Sequence, residues 1–335
     1  MERRPLGKTG LRVSALGFGC GAVGGLMVRG DHSEQTAAVA RALDAGVTYF
    51  DTAPSYGDGR SEENLGRVMR ELGAWRDVVV GTKVRLRPPD LDDPAPAIAR
   101  SLEASLGRLG RESVDLVQLH NPIAESGEAA PSVQGSGQAI GLDAVCGPIA
   151  DGMRRLVSRG LARYIGITGL GQTKALHGAV ASGKFATAQT YYNAVNPSGA
   201  HPGAAGGEQD FAGLIDAAAS AGLGVIAIRV MAVGALSAQP GRHMNAGDPG
   251  SQLAAGAGYG RDLERAAAIR RLAAELGYDG PLELALRFAL AAQGISTVLV
   301  GYSDRIQLED ALRWTGRGPA PADVIERVAG LAGAS

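Results

Sequence analysis

Tyr49-Phe50-Asp51-Thr52-Ala53-Pro54-Ser55-Tyr56-Gly57 reads as the end of a buried strand running into a tight loop, with an acid at the strand's last position and a phenol five residues on. Periodicity predicts a helix over 33–45 ahead of that strand and another over 61–72 after the loop, where Leu65, Val68, Met69 and Leu72 share one face. Ser61 followed by Glu62, Glu63 and Asn64 resembles a capped helix start. The alternation then continues along the chain. Strands are expected at 78–83, 114–120, 163–168, 186–192, 224–229 and 296–300, as short apolar runs suited to a parallel sheet covered on both faces. Helices are expected at 94–109, 148–159, 172–182, 211–221, 262–276, 281–292, 304–313 and 322–332. With Val13–Phe18 as the first core strand, the count reaches eight. Eight such units joined by right-handed crossovers close into an α/β fold, a (β/α)8 TIM barrel; an open doubly wound sheet is the alternative. Residues 1–335 are taken as a single barrel domain, with a β-hairpin cap at 1–12 turning at Gly7-Lys8-Thr9-Gly10 and long loops at 121–147 and 237–260 on the C-terminal face.

The composition narrows the function. With 45% hydrophobic and 20% charged residues the chain can bury a sizeable core, and a net charge of −1 offers no basic field for nucleic acid or an anionic membrane. No stretch is apolar enough for a signal peptide or a membrane span, which points to a cytoplasmic protein. Cys20 and Cys146 lack the spacing of a zinc site, so no metal is expected. Gly19-Cys20-Gly21-Ala22-Val23-Gly24 satisfies G-x-G-x-x-G, but Gly24, Gly25 and Gly30 interrupt the helix that a Rossmann site requires. A loop after the first strand is the favoured reading.

Barrel enzymes carry their chemistry at the C-terminal ends of the strands. Those ends here carry Asp51, Lys83, His120, Thr168, Gln189 with Asn193, Arg229, and Gly301 with Ser303, while Tyr56 lies just past the second strand. Singly, each has a plain structural reading: a rim lysine, a core histidine, an acid satisfying loop amides, a packed tyrosine. Jointly, they place an acid, a cation, an imidazole and a phenol at adjacent barrel positions.

From Arg4-Pro5-Leu6-Gly7-Lys8-Thr9-Gly10 to Gln307-Leu308-Glu309, the chain resembles the aldo-keto reductase family. The specific marks are Phe50-Asp51-Thr52-Ala53 leading to Tyr56-Gly57, then Ser61-Glu62-Glu63-Asn64-Leu65-Gly66, Thr82-Lys83, Asp115-Leu116-Val117-Gln118-Leu119-His120 and Ile165-Gly166-Ile167-Thr168. The resemblance implies a catalytic tetrad of Asp51, Tyr56, Lys83 and His120. Those residue types suit carbonyl reduction by hydride transfer. Tyr56 would donate the proton, Lys83 would favour the phenol's ionised form, Asp51 would pair with Lys83, and His120 would hydrogen-bond the carbonyl oxygen.

The resemblance also implies an extended nicotinamide cofactor, NADP or NAD. Gly21, Ala22, Asp51, Thr168, Gln189 and Arg229 are expected near its nicotinamide half, and Gly301, Ser303, Arg305, Gln307 and Asp310 at the start of the last barrel helix, where backbone amides receive phosphate charge. The family's Ser-Asn pair after strand five appears here as Thr168-Gly169, and its aromatic residue after strand seven is absent from Ala227-Ile228-Arg229-Val230-Met231. A lysine and an arginine that some relatives use for the 2′-phosphate appear as Gly301 and Gln307. Val23, Met27, Tyr56, His120, Met231 and Tyr259 are expected to line a small carbonyl or sugar site, since aromatics make up only 4% of the chain. The expected activity interconverts an aldehyde, ketone or lactol with its alcohol or lactone. Alternatives are a non-catalytic NAD(P)-binding regulatory subunit and a Schiff-base enzyme using Lys83.

Overall fold

The computed structural model describes residues 1–126, 139–205, 209–237, 241–247 and 256–333. Eight parallel strands form a closed barrel: β1 (Leu16–Gly19), β2 (Tyr49–Asp51), β3 (Val79–Val84), β4 (Val114–Leu119), β5 (Ala162–Thr168), β6 (Thr187–Tyr191), β7 (Gly224–Ile228) and β8 (Ile295–Gly301). Each strand pairs with its sequence neighbour, and β8 closes on β1 with Gly301 opposite Gly19. An open doubly wound sheet is thereby excluded, because no strand edge is left unpaired.

Helices packed outside the barrel are α1 (His32–Asp44), α2 (Arg60–Glu71), α3 (Pro94–Leu109), α4 (Ala150–Ser158), α5 (Thr173–Ala181), α6 (Leu214–Ser220), α7 (Gly256–Glu275), α8 (Pro281–Ala291), α9 (Arg305–Gly316) and α10 (Ala322–Gly333). Helix α3 shows why these segments form. Pro94 opens its first turn, Gly110 ends it with φ 66°, and Ile98, Leu102, Leu106 and Leu109 are buried along one stripe. Burying such a side chain is worth about 1.5–3 kcal/mol. That inward stripe, more than helix propensity, fixes the helix on the sheet. The main apolar core lies in this layer between strands and helices. A smaller one, with Leu6, Val13, Tyr49, Val79, Leu116 and Ile226, fills the barrel below the site.

Four boundaries differ from the sequence expectation. Val13–Phe18 is not one strand: Arg12–Ser14 pairs antiparallel with Arg3–Pro5 as the N-terminal hairpin, and the barrel strand starts at Leu16. Ser14 marks the break, since its hydroxyl bonds the backbone of Leu16 and its amide the hydroxyl of Thr48. Ser61 is no helix cap: α2 starts from Gly59, whose φ is 92°, and the Ser61 hydroxyl instead bonds Thr52 Oγ1 and the Cys20 carbonyl. Helical structure ahead of α4 begins at Leu142, through a π turn over Val145–Ile149 that accommodates Pro148. Helix α7 begins at Gly256, inside the expected loop 237–260. Residues 127–138 of the first long loop, and 238–240 and 248–255 of the second, lie outside the described residues. Among the described residues, no helix is long and apolar enough to cross a membrane.

Candidate active site

Side chains alternate along a strand, so residues two apart share a face. At the barrel's C-terminal mouth this alternation points Tyr49 and Asp51 inward from β2, Lys83 from β3, Gln118 from β4 and Gln189 from β6, all onto one carboxylate. Asp51 Oδ1 accepts from Lys83 Nζ, while Oδ2 accepts from Tyr49 OH at 3.1 Å, Gln118 Nε2 at 3.2 Å and Gln189 Nε2 at 2.6 Å. Room for this cluster comes from Gly81: a Cβ there would lie 2.8 Å from the Tyr49 hydroxyl. Lys83 Nζ also donates to the Thr52 carbonyl at 2.9 Å. Burial, the largest influence on Lys83, acts to depress its pKa; the Asp51 carboxylate and then Tyr56 reverse this, leaving it raised. Lys83 is therefore an ammonium, and it stands 4.8 Å from the centroid of the Tyr56 ring.

Tyr56 is placed by the loop after β2. Its amide bonds the Ala53 carbonyl, and its own carbonyl accepts from Ser61 at the start of α2. Gly57 and Gly59, with φ of 63° and 92°, turn the chain between these anchors. The Tyr56 ring meets His120 edge-on, with centroids 5.9 Å apart. His120 follows β4, its amide bonded to the Val84 carbonyl at 2.8 Å. Burial, then the charges of Lys83, Arg85 and Arg229, hold its pKa well below the usual histidine value, so the imidazole is neutral. The structure thus brings Asp51, Tyr56, Lys83 and His120 into one cluster.

Tyr56, His120 and Asp51 open onto a cavity of about 1230 Å³ that runs along the mouth from β1 to α9. Gly21, Ala22, Thr168, Gln189, Arg229, Gly301, Ser303, Gln307 and Asp310 line it, as do Val23 and Met231. The Thr168 hydroxyl is buried with no hydrogen-bond partner among the described residues, a polar atom that fits an amide in the cavity. The Gln189 amide nitrogen, in contrast, is committed to Asp51. A glycine wall lets the chain close on itself: a Cβ at Gly24 would lie 2.5 Å from Tyr302 N, and the Gly24 carbonyl accepts from Ser303 Oγ at 2.7 Å. These features fit an extended cofactor with an amide at one end.

Three expectations are not met in place. Met27 is fully buried in the helix–strand core, because one helical turn, Leu26–Arg29, follows the glycine loop and faces it inward. Arg305 is exposed and does not line the cavity. The amides at the start of α9 are partly taken: Asp304 caps the helix by accepting from Gln307 N at 2.8 Å, and Gln307 Oε1 accepts from Ser303 N at 2.9 Å. The side chain of Tyr259 lies outside the described residues.

Other contributors went unread in the sequence. Arg85, two residues beyond Lys83 on the same alternation, lines the cavity. Residues 241–247 tie the mouth together: Arg29 Nε donates to the Asn245 carbonyl at 2.7 Å, Asn245 Nδ2 to the Ser303 carbonyl at 3.0 Å, and Gly247 N to the Val23 carbonyl at 3.0 Å. Of these, only Arg85 carries a sequence signal.

A sequence model of the Aldo/keto reductase family matches residues 15–332. The chain belongs to that family. It is similar to L-galactose dehydrogenase of Arabidopsis thaliana, 30% identical over 315 residues that cover 92% of this chain and 86% of that protein. It is also similar to a probable voltage-gated potassium channel subunit beta of Oryza sativa subsp. japonica, 41% identical over 129 residues, 37% of this chain and 38% of that one. Among solved structures, a holo-form aldo-keto reductase of Bacillus halodurans superposes with a TM-score of 0.72 at 22% identity, covering 100% of this chain and 97% of the other. At that identity the likeness is one of fold. As an aldo-keto reductase, the chain is an NAD(P)-dependent oxidoreductase.

Proposed function

We propose that this aldo-keto reductase interconverts a small aldehyde, ketone or sugar lactol with the corresponding alcohol or lactone, with Tyr56 as acid and base. The observation that carries the reading is the Lys83 ammonium, held by Asp51 and facing the Tyr56 ring at 4.8 Å. A nicotinamide, when bound, supplies or receives the hydride. In the reducing direction Tyr56 gives its proton to the carbonyl oxygen as negative charge develops there. Lys83 stabilises the negative charge left on the phenol oxygen, and Asp51 keeps that lysine charged and oriented. His120, neutral, has an N–H to donate to the carbonyl oxygen, which holds the carbon in line for transfer.

Thr168 would meet the carboxamide and the glycine wall of Gly21, Gly24 and Gly301 the dinucleotide's length, with Ser303, Gln307 and Asp310 at its far end. A Schiff base on Lys83 is disfavoured, because that chemistry needs a neutral amine and Asp51 holds this one protonated. The channel-subunit likeness favours no separate reading, since it spans only 37% of the chain.

The test is Tyr56→Phe, assayed by nicotinamide absorbance against a panel of aldehydes and sugars. Turnover is expected to fall by about 10²–10⁴, while cofactor binding, followed by fluorescence, persists. Full activity in the variant would rule out Tyr56 as the acid.

A further inference from the structure

Arg85 is a guanidinium in an unusual position. It stands two residues past Lys83, just beyond the end of β3, and lines the cavity beside Tyr56 and His120. It is half-buried, and its Nε is enclosed without a hydrogen-bond partner among the described residues. Loss of hydration lowers its pKa, and Tyr56 partly opposes that shift. Among the described residues, the carboxylates that line the cavity do not answer it: Asp51 is engaged by Lys83, and Asp310 pairs with Arg313 at 2.8 Å. Across the mouth, Arg229 enters the same cavity from the end of β7, where the backbone takes φ 62°. A non-glycine residue rarely adopts that conformation, which is found chiefly where surrounding structure over-determines it. Both arginines lie near enough to His120 to contribute to its depressed pKa.

A partly dehydrated guanidinium facing a cavity is costly unless an anion completes it. The planar fork of arginine suits two oxygens of one carboxylate or phosphate. We propose that Arg85 anchors an anionic oxygen group, carboxylate or phosphate, carried by the carbonyl substrate, so that the enzyme acts on anionic aldehydes or ketones in preference to neutral ones. This rests on the carbonyl site being the one formed by Tyr56 and His120. Arg85 sits on the β3 side of that site, away from the β8–α9 end where the dinucleotide's phosphates are assigned. The anion it meets is therefore the substrate's own.

Two matched pairs test it: 4-oxobutanoate against its methyl ester, and glyceraldehyde 3-phosphate against glyceraldehyde. In the wild type, kcat/KM is expected to favour the anionic member of at least one pair by about tenfold to a hundredfold, and the pair that shows it tells carboxylate from phosphate. Arg85→Gln is expected to collapse that ratio through KM of the anionic member, with Arg85→Lys retaining part of it. A purely structural role would lower both members of a pair together. Binding of succinate and of inorganic phosphate to the NADH-loaded protein, measured by calorimetry, gives a readout that needs no turnover. Weakening of at least one by about tenfold in Arg85→Gln is expected. Turnover of the neutral members as fast as the anionic ones, with ion binding unchanged by Arg85→Gln, would overturn the proposal and leave the oxidoreductase reading intact. Ion binding that depends on Arg85, with no carbonyl turned over, would uphold the anion site and overturn the reading of the reaction.

Discussion

Asp51→Asn probes the centre of the site because it keeps the side chain's shape and removes its charge. Lys83 is only 1% exposed, so its ammonium has no water to replace the lost partner. Removing one member of a buried ion pair costs about 3–5 kcal/mol. For 335 residues the unfolding entropy near the midpoint is about 0.7 kcal/mol per kelvin, so the melting temperature should fall by about 4–7 °C. The pH dependence carries more information. In the wild type Lys83 is raised overall, burial's depression being outweighed by Asp51 and then Tyr56. Its stabilisation is complete below the pKa of an unfolded lysine, ~10.4, and is lost as pH rises through the folded value. In the variant burial prevails, so the folded value drops below the unfolded one. The penalty is then largest near neutrality and relaxes as pH climbs toward ~10.4. Calorimetric melts should therefore show the gap between the two proteins narrowing from about pH 7 to about pH 10. Lys83→Met and the double variant complete a cycle in which the double loses less than the two singles together. Strict additivity, or an Asp51→Asn midpoint that matches the wild type across this range, would refute the buried pair.

Two further outcomes follow from the same geometry. His120, held well below its usual pKa by burial and then by Lys83, Arg85 and Arg229, should stay neutral across the working pH range. Its ring protons should show no titration near ~6.5 by NMR, and because its folded pKa is depressed, its share of stability is present above that value and is lost progressively as pH falls from there through the folded one; a transition at ~6.5 in the folded protein would contradict this. Gly24→Ala would place a methyl 2.5 Å from Tyr302 N and 2.6 Å from Gly301 C, both backbone atoms with little freedom to move. Overpacking of this kind costs about 1–3 kcal/mol, so a lowered melting temperature together with weaker nicotinamide binding is expected, and an unchanged affinity would show that the glycine wall lies outside the cofactor's path.

The barrel was legible because its strands are short apolar runs and its helices keep one stripe, so periodicity alone marks eight repeats. The cluster of Asp51, Lys83 and His120 was legible for a related reason: each sits where an apolar run stops. What supports Asp51 was harder to see. Tyr49 and Gln118 lie two residues before Asp51 and His120 and so face inward, but that they meet one carboxylate depends on cross-strand register, such as Lys83 opposite Gln118. Arg85 obeys the same alternation yet falls past the expected end of its strand at 83. Met27 and Ser61 were misjudged because one helical turn and one side-chain hydrogen bond redirect them, and neither leaves a periodic trace. The 241–247 segment docks largely through backbone carbonyls and amides, which no side-chain pattern encodes.

The chain's net charge of −1 argued against polyanionic partners, yet the cavity has a different balance. Lys83 is matched by Asp51, and Asp310 by Arg313. Arg85, Arg229, Arg242 and Arg270 also line the cavity, and among the described lining residues Asp51 and Asp310 are the carboxylates. Field lines from such groups are focused by low-dielectric walls, so a cleft can concentrate anions although the molecule as a whole is nearly neutral. Pairing Lys83 with Asp51 has a second consequence: it removes from that field the cation that stands 4.8 Å from the Tyr56 ring. In the proposed reaction the charge that faces Tyr56 is thereby kept for the proton transfer, while Arg85 faces the proposed anion. Composition reports the sum of these charges, whereas the reaction depends on how the strand ends distribute them.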